Sequence, residues 1–163
     1  MKYLITLFLL FFSTLYYSQT NNIKIMNFSS HDIPIVVISV NPSATAQDCV
    51  PIIYNETPVV LPAGESVSYS QHNLSMTSSL PINVWHFVAG NYDKLYDLSL
   101  GQMLAQTDTD LVTWSQAIIY APNGQQYRLG IGCQAGGFTS FTAGGITADL
   151  SFLSGDAIIN ITD

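Results

Sequence analysis

The sequence predicts an all-β fold, a two-layer β-sandwich or jelly roll of about 8–10 short strands with room for one short helix. Period-two alternation broken by turn residues runs through the chain after residue 19, and helical periodicity is nearly absent. The 144 residues beyond that point are the ordinary size of one domain, assigned to 20–163.

Residues 1–19 read as a secretory leader. They hold one charge, Lys2, an apolar run from Tyr3 to Phe12 that only Thr6 interrupts, and a polar exit through Ser13, Thr14, Ser18 and Gln19. A membrane anchor needs roughly 20 mainly apolar residues, and Ser13, Thr14 and Ser18 break the run too early. The pattern is that of a bacterial general-secretion signal cut after Ser18 or Gln19, which places the mature chain outside the cell or in the periplasm. No Cys follows the leader to take a lipid.

The strands follow in order. Ile23 to Phe28 opens the alternation, and Ile33 to Val40 is apolar on both faces, as in a strand buried between two layers, with Pro34 near its start. Val50 to Tyr54 and Pro58 to Leu61 are short apolar runs; Pro62-Ala63-Gly64 then turns the chain into Ser66 to Ser70. Pro81 to Val88 sets Asn83, Trp85 and Phe87 against Ile82, Val84, His86 and Val88, with Trp85 as the core anchor. Tyr96 to Gln106 carries the one helical hint, Leu100, Met103 and Leu104, with Asp97 at its N-cap.

The clearest hairpin runs from Leu111 to Tyr120, turns at Ala121-Pro122-Asn123-Gly124 and returns from Gln125 to Cys133. Alternation puts Val112, Trp114, Ile118 and Tyr120 on one face, interrupted by Gln116. Beyond the glycine pairs 136–137 and 144–145, Ile146, Ala148, Leu150 and Phe152 alternate with polar residues, and Ala157 to Thr162 closes the chain after a turn at Ser154-Gly155-Asp156.

Charge narrows the function. Without the leader, three basic residues (Lys24, Lys94, Arg128) face eleven acidic ones, a net charge of −8. Phosphate backbones and anionic membranes are bound by clustered Lys and Arg, so nucleic acid is excluded as a partner. Only 9% of the residues are charged, against roughly 25% in average proteins. A surface of Ser, Thr, Asn, Gln, Gly and Tyr suits contact with glycans or protein surfaces.

Cys49 and Cys133, the only cysteines, are 84 residues apart. In an exported chain such a pair reads as a disulfide, since two isolated cysteines lack the paired spacing of zinc sites. No cofactor and no metal is expected. Gly130 to Ala135 imitates a dinucleotide fingerprint but opens no helix. Glu56 and Glu65 lie in turns, and Asp108 and Asp110 lack the further oxygens that calcium requires.

His31, His72 and His86 are the only histidines, and no Gly-x-Ser-x-Gly accompanies them. His86 reads as a core or boundary residue and His31 as turn chemistry. Sequons at Asn27, Asn55, Asn73 and Asn160 read as accidents of composition. The ligand candidate is the segment around Asn91, Tyr92, Asp93 and Tyr96, where aromatic faces beside amide and carboxylate groups could hold a sugar ring.

Three functions remain as expectations. The first is a secreted non-enzymatic sandwich acting by surface contact in adhesion, glycan binding or assembly. The second is a membrane-active, pore-forming type of β-protein that inserts Ser66 to Leu80 and Phe138 to Phe152, and the third is a small secreted hydrolase. Intact mass of the exported protein is expected to show a chain that begins at Gln19 or Thr20 and takes up alkylating reagent only after reduction; a species retaining Met1 to Phe12 refutes the leader.

Overall fold

The computed structural model describes residues 22–43, 49–131 and 138–163. Among the described residues twelve strands form two packed sheets, a β-sandwich as expected but with more strands than the eight to ten anticipated. Sheet one holds, in spatial order, β10 (Ser140–Ala143), β11 (Ile146–Leu153), β12 (Asp156–Thr162), β1 (Ile23–Asn27) and β5 (Ser66–Tyr69). Sheet two holds β7 (Tyr92–Asp97), β6 (Val84–Ala89), β3 (Ile52–Asn55), β2 (Ile33–Val40), β8 (Thr113–Tyr120) and β9 (Gln126–Gly130), with β4 (Val59–Leu61) paired to the first half of β2. β1 and β12 run parallel; the other pairings are antiparallel.

β2 organises sheet two. Its inner face, Ile33, Ile35 and Val37, is fully buried in the main core with Ile23, Ile25 and Trp85. Among the described residues no second layer packs on its outer face, where a strand between two layers was expected. Val36, Ile38 and Val40 are instead covered sideways by Ile52, Tyr54, Ile118 and Tyr120 on the neighbouring strands.

β2 pairs with β4 through Ile33, Pro34 and Ile35 and with β3 from Ile38 onward, which leaves Val37 N–H at the switch. Asn55 fills that gap: its Oδ1 accepts from Val37 N at 2.6 Å, and its Nδ2 donates to Ile35 O and Thr57 O. A buried amide so used is structural, as is Asn27, whose Nδ2 reaches Leu61 O and Pro62 O while its Oδ1 accepts from Ser29. Both sequon asparagines are buried, so neither offers its amide to solvent.

The expected face of β8 is corrected by a bulge. Gln116 pairs with Ile38, but the next partner of β2, Ser39, pairs with Trp114, so Ser115 is an extra residue. Val112 and Trp114 therefore face the core together with Ala117 and Ile119, whereas Ile118 and Tyr120 face outward. Gln116 is buried on the outer side and accepts from Arg128 Nε at 2.9 Å.

The segment that holds the ligand candidate is largely a strand, β7. Asp97 does cap, its Oδ1 accepting from Ser99 N, but the helix is a single 3-10 turn over Leu98–Leu100 that leaves Leu100 and Met103 exposed. Helical turns also form at His72–Thr77 (3-10) and Gln106–Thr109 (α). Ser66 to Leu80 holds a strand followed by a 3-10 helix. Cys49 is buried and is not a free thiol; its expected partner, Cys133, lies outside the described residues.

Replacing Asn55 by Ala strands Val37 N–H in the core, and an unsatisfied buried group costs about 1–3 kcal/mol. Urea unfolding is expected to show that loss for Asn55→Ala and a change within about 0.5 kcal/mol for exposed Asn91→Ala.

Candidate functional site

β6 and β7 lie at one side of sheet two, beyond β5, the last strand of sheet one. Short helices and loops cover the inner face there. Trp85 on β6 is fully buried, and its Nε1 donates to His72 O and to Ser75 Oγ, both at 3.0 Å, pinning the first 3-10 helix over the strand. Asn73 clasps the following loop through two bonds to the Leu104 backbone, at 3.0 Å each.

This irregular cover leaves a cavity of about 290 Å³. Asn22 enters it from the start of β1, Ser70 and Gln71 from the end of β5, and His72 and Asn73 from the 3-10 helix. Gln106, Thr109 and Asp110 line it from the α-helical turn, with Val112 and Trp114 below. Asp110 accepts from Gln106 Nε2 at 2.6 Å. The lining is amide and hydroxyl with a single carboxylate.

His72 is the distinctive group. Its ring stacks on Trp114 with centroids 4.3 Å apart and meets Trp85 edge-on at 4.9 Å. Burial lowers its pKa to about 3, so it is neutral at physiological pH. Nε2 lies 2.7 Å from Ser39 Oγ. The same hydroxyl lies 3.3 Å from Ile53 O, and a neutral imidazole carries its one proton on either ring nitrogen, so Nδ1 offers the cavity a single donor or acceptor. Among the described residues Nδ1 has no hydrogen-bond partner, and the residue lines the cavity.

Ser39 and His72 resemble a nucleophile and its base, but Ser39 is fully buried beneath the imidazole and does not line the cavity. Ser70 and Asp110 line the cavity, yet no hydrogen bond joins either to His72. Among the described residues no accessible hydroxyl is hydrogen-bonded to His72.

The residues nominated from the sequence are not gathered into one pocket. Tyr96 is buried; its hydroxyl lies 3.3 Å from that of Tyr92, and its pKa is pushed up to about 12 by that contact and by burial. Tyr92 is half exposed and packs edge-on against Phe87. Asn91 is exposed in the β6–β7 turn, and Asp93 points to the opposite face of β7, where it meets His86 Nε2.

His86 sits on that outer face with Glu56 Oε2 and Tyr54 Oη at 2.9 and 2.6 Å from Nδ1. Burial alone lowers its pKa, but the hydrogen bonds to Asp93 and Glu56 outweigh it and the net shift is upward. His31 is exposed in the turn before β2. Among the described residues no three His, Cys, Asp or Glu are placed to hold a metal ion, and no helix is long and apolar enough to cross a membrane.

His72 escaped the sequence reading because its partners, Ser39, Trp85 and Trp114, are far from it along the chain and no spacing links them. No protein-family model, curated protein or solved structure matches this chain.

The two histidines give opposite pH dependences. His72 has its folded pKa at about 3, below the ordinary value of about 6.5, so the stability it brings is complete above pH 6.5 and is lost as pH falls and the unfolded chain takes the proton. His86, with a raised folded pKa, stabilises at low pH and loses that effect as pH rises. In His86→Gln, where only the first effect remains, the unfolding free energy is expected to drop by about 2 kcal/mol from pH 7 to pH 5. Adding His72→Phe should remove most of that slope.

Proposed function

We propose that the mature protein is an exported, non-enzymatic β-sandwich that acts by surface contact and recognises a neutral sugar group in the cavity floored by His72. The observation that carries this reading is the cavity lining: side-chain amides, hydroxyls and an uncharged imidazole, with one carboxylate. A sugar offers many O–H donors and acceptors and no charge, so it is matched by neutral polar groups. The described residues that line the cavity include no cation for a phosphorylated or anionic ligand.

The volume sits at the low end of the roughly 300–1,000 Å³ of small-molecule pockets, which fits one ring of a glycan. His72 Nδ1 shares a hydrogen bond with a ligand hydroxyl, Gln71 and Thr109 supply further contacts at the rim, and Trp114 gives an apolar wall. Export by the leader and a Cys49–Cys133 bridge belong to this reading, since a disulfide persists outside the cytoplasm. Ser39, sealed under His72, weighs against the hydrolase alternative.

A glycan array probed with the mature protein is expected to light up on neutral terminal sugars and to be competed by the free monosaccharide. Gln71→Ala, at an exposed position, should weaken that binding severalfold with the melting temperature nearly unmoved. Silence on every neutral glycan, together with turnover in an esterase or peptidase screen, overturns the reading.

A further inference from the structure

The outer face of sheet two is apolar where a sandwich ordinarily turns polar residues to solvent. Strand register sets its side chains in rows. One row runs through Arg128, Ile118 and Val36 across β9, β8 and β2. The β2–β3 register, carried two residues beyond the Ile38–Tyr54 pair, brings Val36 level with Glu56, whose N–H donates to Val84 O, and Val84 pairs with Asp97. In the rows on either side Tyr54 lies between Ile38 and His86, and Val60 lies beside Pro34.

Val36, Ile38 and Val40 pack there with Tyr54, Ile118 and Tyr120 as one apolar cluster. Val60 beside Pro34 and Leu95 beside His86 continue it, 49% and 47% exposed. Charge is sorted along the same face. Arg128 on β9 and Asp97 on β7 stand at opposite borders of one row, and neither has an ion-pair partner among the described residues. Glu56 and Asp93 both turn to His86.

A twofold axis lying on this face along its strands exchanges β7 with β9, β6 with β8, and the β3–β4 line with β2. It lays Arg128 of each copy on Asp97 of the other, Val84 on Ile118 and Val60 on Pro34. Closing the face on itself therefore gives apolar contact at the centre and an ion pair at each border, the anatomy of a protein interface. An axis across the strands would instead set each charged border against itself, which like-charge repulsion opposes.

We propose that the outer face of sheet two binds a second copy of the chain, the two sandwiches packing face to face about the axis along the strands. Pleated sheets stack in this way about 10 Å apart, with their side chains interdigitated. The His72 cavity lies on the inner side of the same sheet, so the inference is independent of the sugar reading. A dimer of this form carries two such cavities, which raises its hold on a surface of repeated ligands.

Sedimentation velocity of the mature protein over a dilution series is expected to show a monomer–dimer equilibrium. Val60→Glu places a charge beside the axis at an exposed position. It should cost at least about tenfold in dimer affinity, because the partner's apolar face would cover that charge without a counter-ion, and leave the melting temperature of the monomer nearly unmoved. Arg128→Asp and Asp97→Arg should each weaken the dimer and together restore it, a rescue that loss of the Arg128–Gln116 bond or of the Asp97 cap does not produce.

A monomer at every concentration overturns the inference, and so does a dimer that Val60→Glu leaves intact. Single charge variants that weaken the dimer without rescue in the double overturn the arrangement about this axis. A monomer that binds phosphatidylcholine vesicles, and loses them in Val60→Glu, assigns the face to a bilayer and overturns the inference as well. Binding of the free monosaccharide is expected to be the same in Val60→Glu, which keeps the fate of the sugar site separate.

Discussion

The indole N–H of Trp85 cannot reach water, because the residue is fully buried at the centre of β6. A buried donor without a partner costs about 1–3 kcal/mol, and Trp85 finds two acceptors, His72 O and Ser75 Oγ. Both belong to one 3-10 helix. Ser75 in turn donates to Ile82 O, so the helix is tied to the segment that enters β6 as well as to its tryptophan. This one donor therefore decides what covers sheet two beyond β5. A helix that lies there brings His72 between two indole rings, and the cavity is the space between that helix, the α-helical turn and the end of β5.

The same rule, that buried polar groups must be paired, explains other irregularities of the sandwich. Where β2 changes partner from β4 to β3, Asn55 replaces the missing ladder bond to Val37. Where β8 holds one residue too many, Gln116 turns to the outer face and is met by the Arg128 guanidinium. Tyr69, buried at the edge of sheet one, hands its hydroxyl proton to Leu80 O and so anchors the far end of the 3-10 segment. Polar residues in this core mark the places where regular pairing stops.

Those places were also the ones hidden from the sequence. Ile33 to Val40 and Ile146 to Phe152 were legible because their side chains pack on a regular pleat, and the β8–β9 turn was legible because Gly124 supplies a positive φ of 80°. The face of Ile118 was not, since a bulge leaves no local mark and reverses the facing of every later residue in its strand. β7 was missed because edge strands need not follow binary patterning: Lys94 points inward over Tyr96 and Leu95 outward. The cavity was least legible of all. Its walls come from Asn22, residues 70–73 and residues 106–114, which only the tertiary fold brings together.

The contrast between the histidines follows from the same packing. His86 lies on an outer face where carboxylates from β7 and from the end of β3 converge, so its proton is held. His72 lies among indoles, with only a hydroxyl at Nε2, so a second proton would be a charge without a counter-ion in a low-dielectric site. Neutrality at His72 is thus built into the cover of the sandwich, and it leaves the ring one donor and one acceptor nitrogen. A charged imidazole in the same place would donate from both nitrogens, repel any O–H proton turned toward it, and convert a floor suited to neutral hydroxyl groups into one suited to anions.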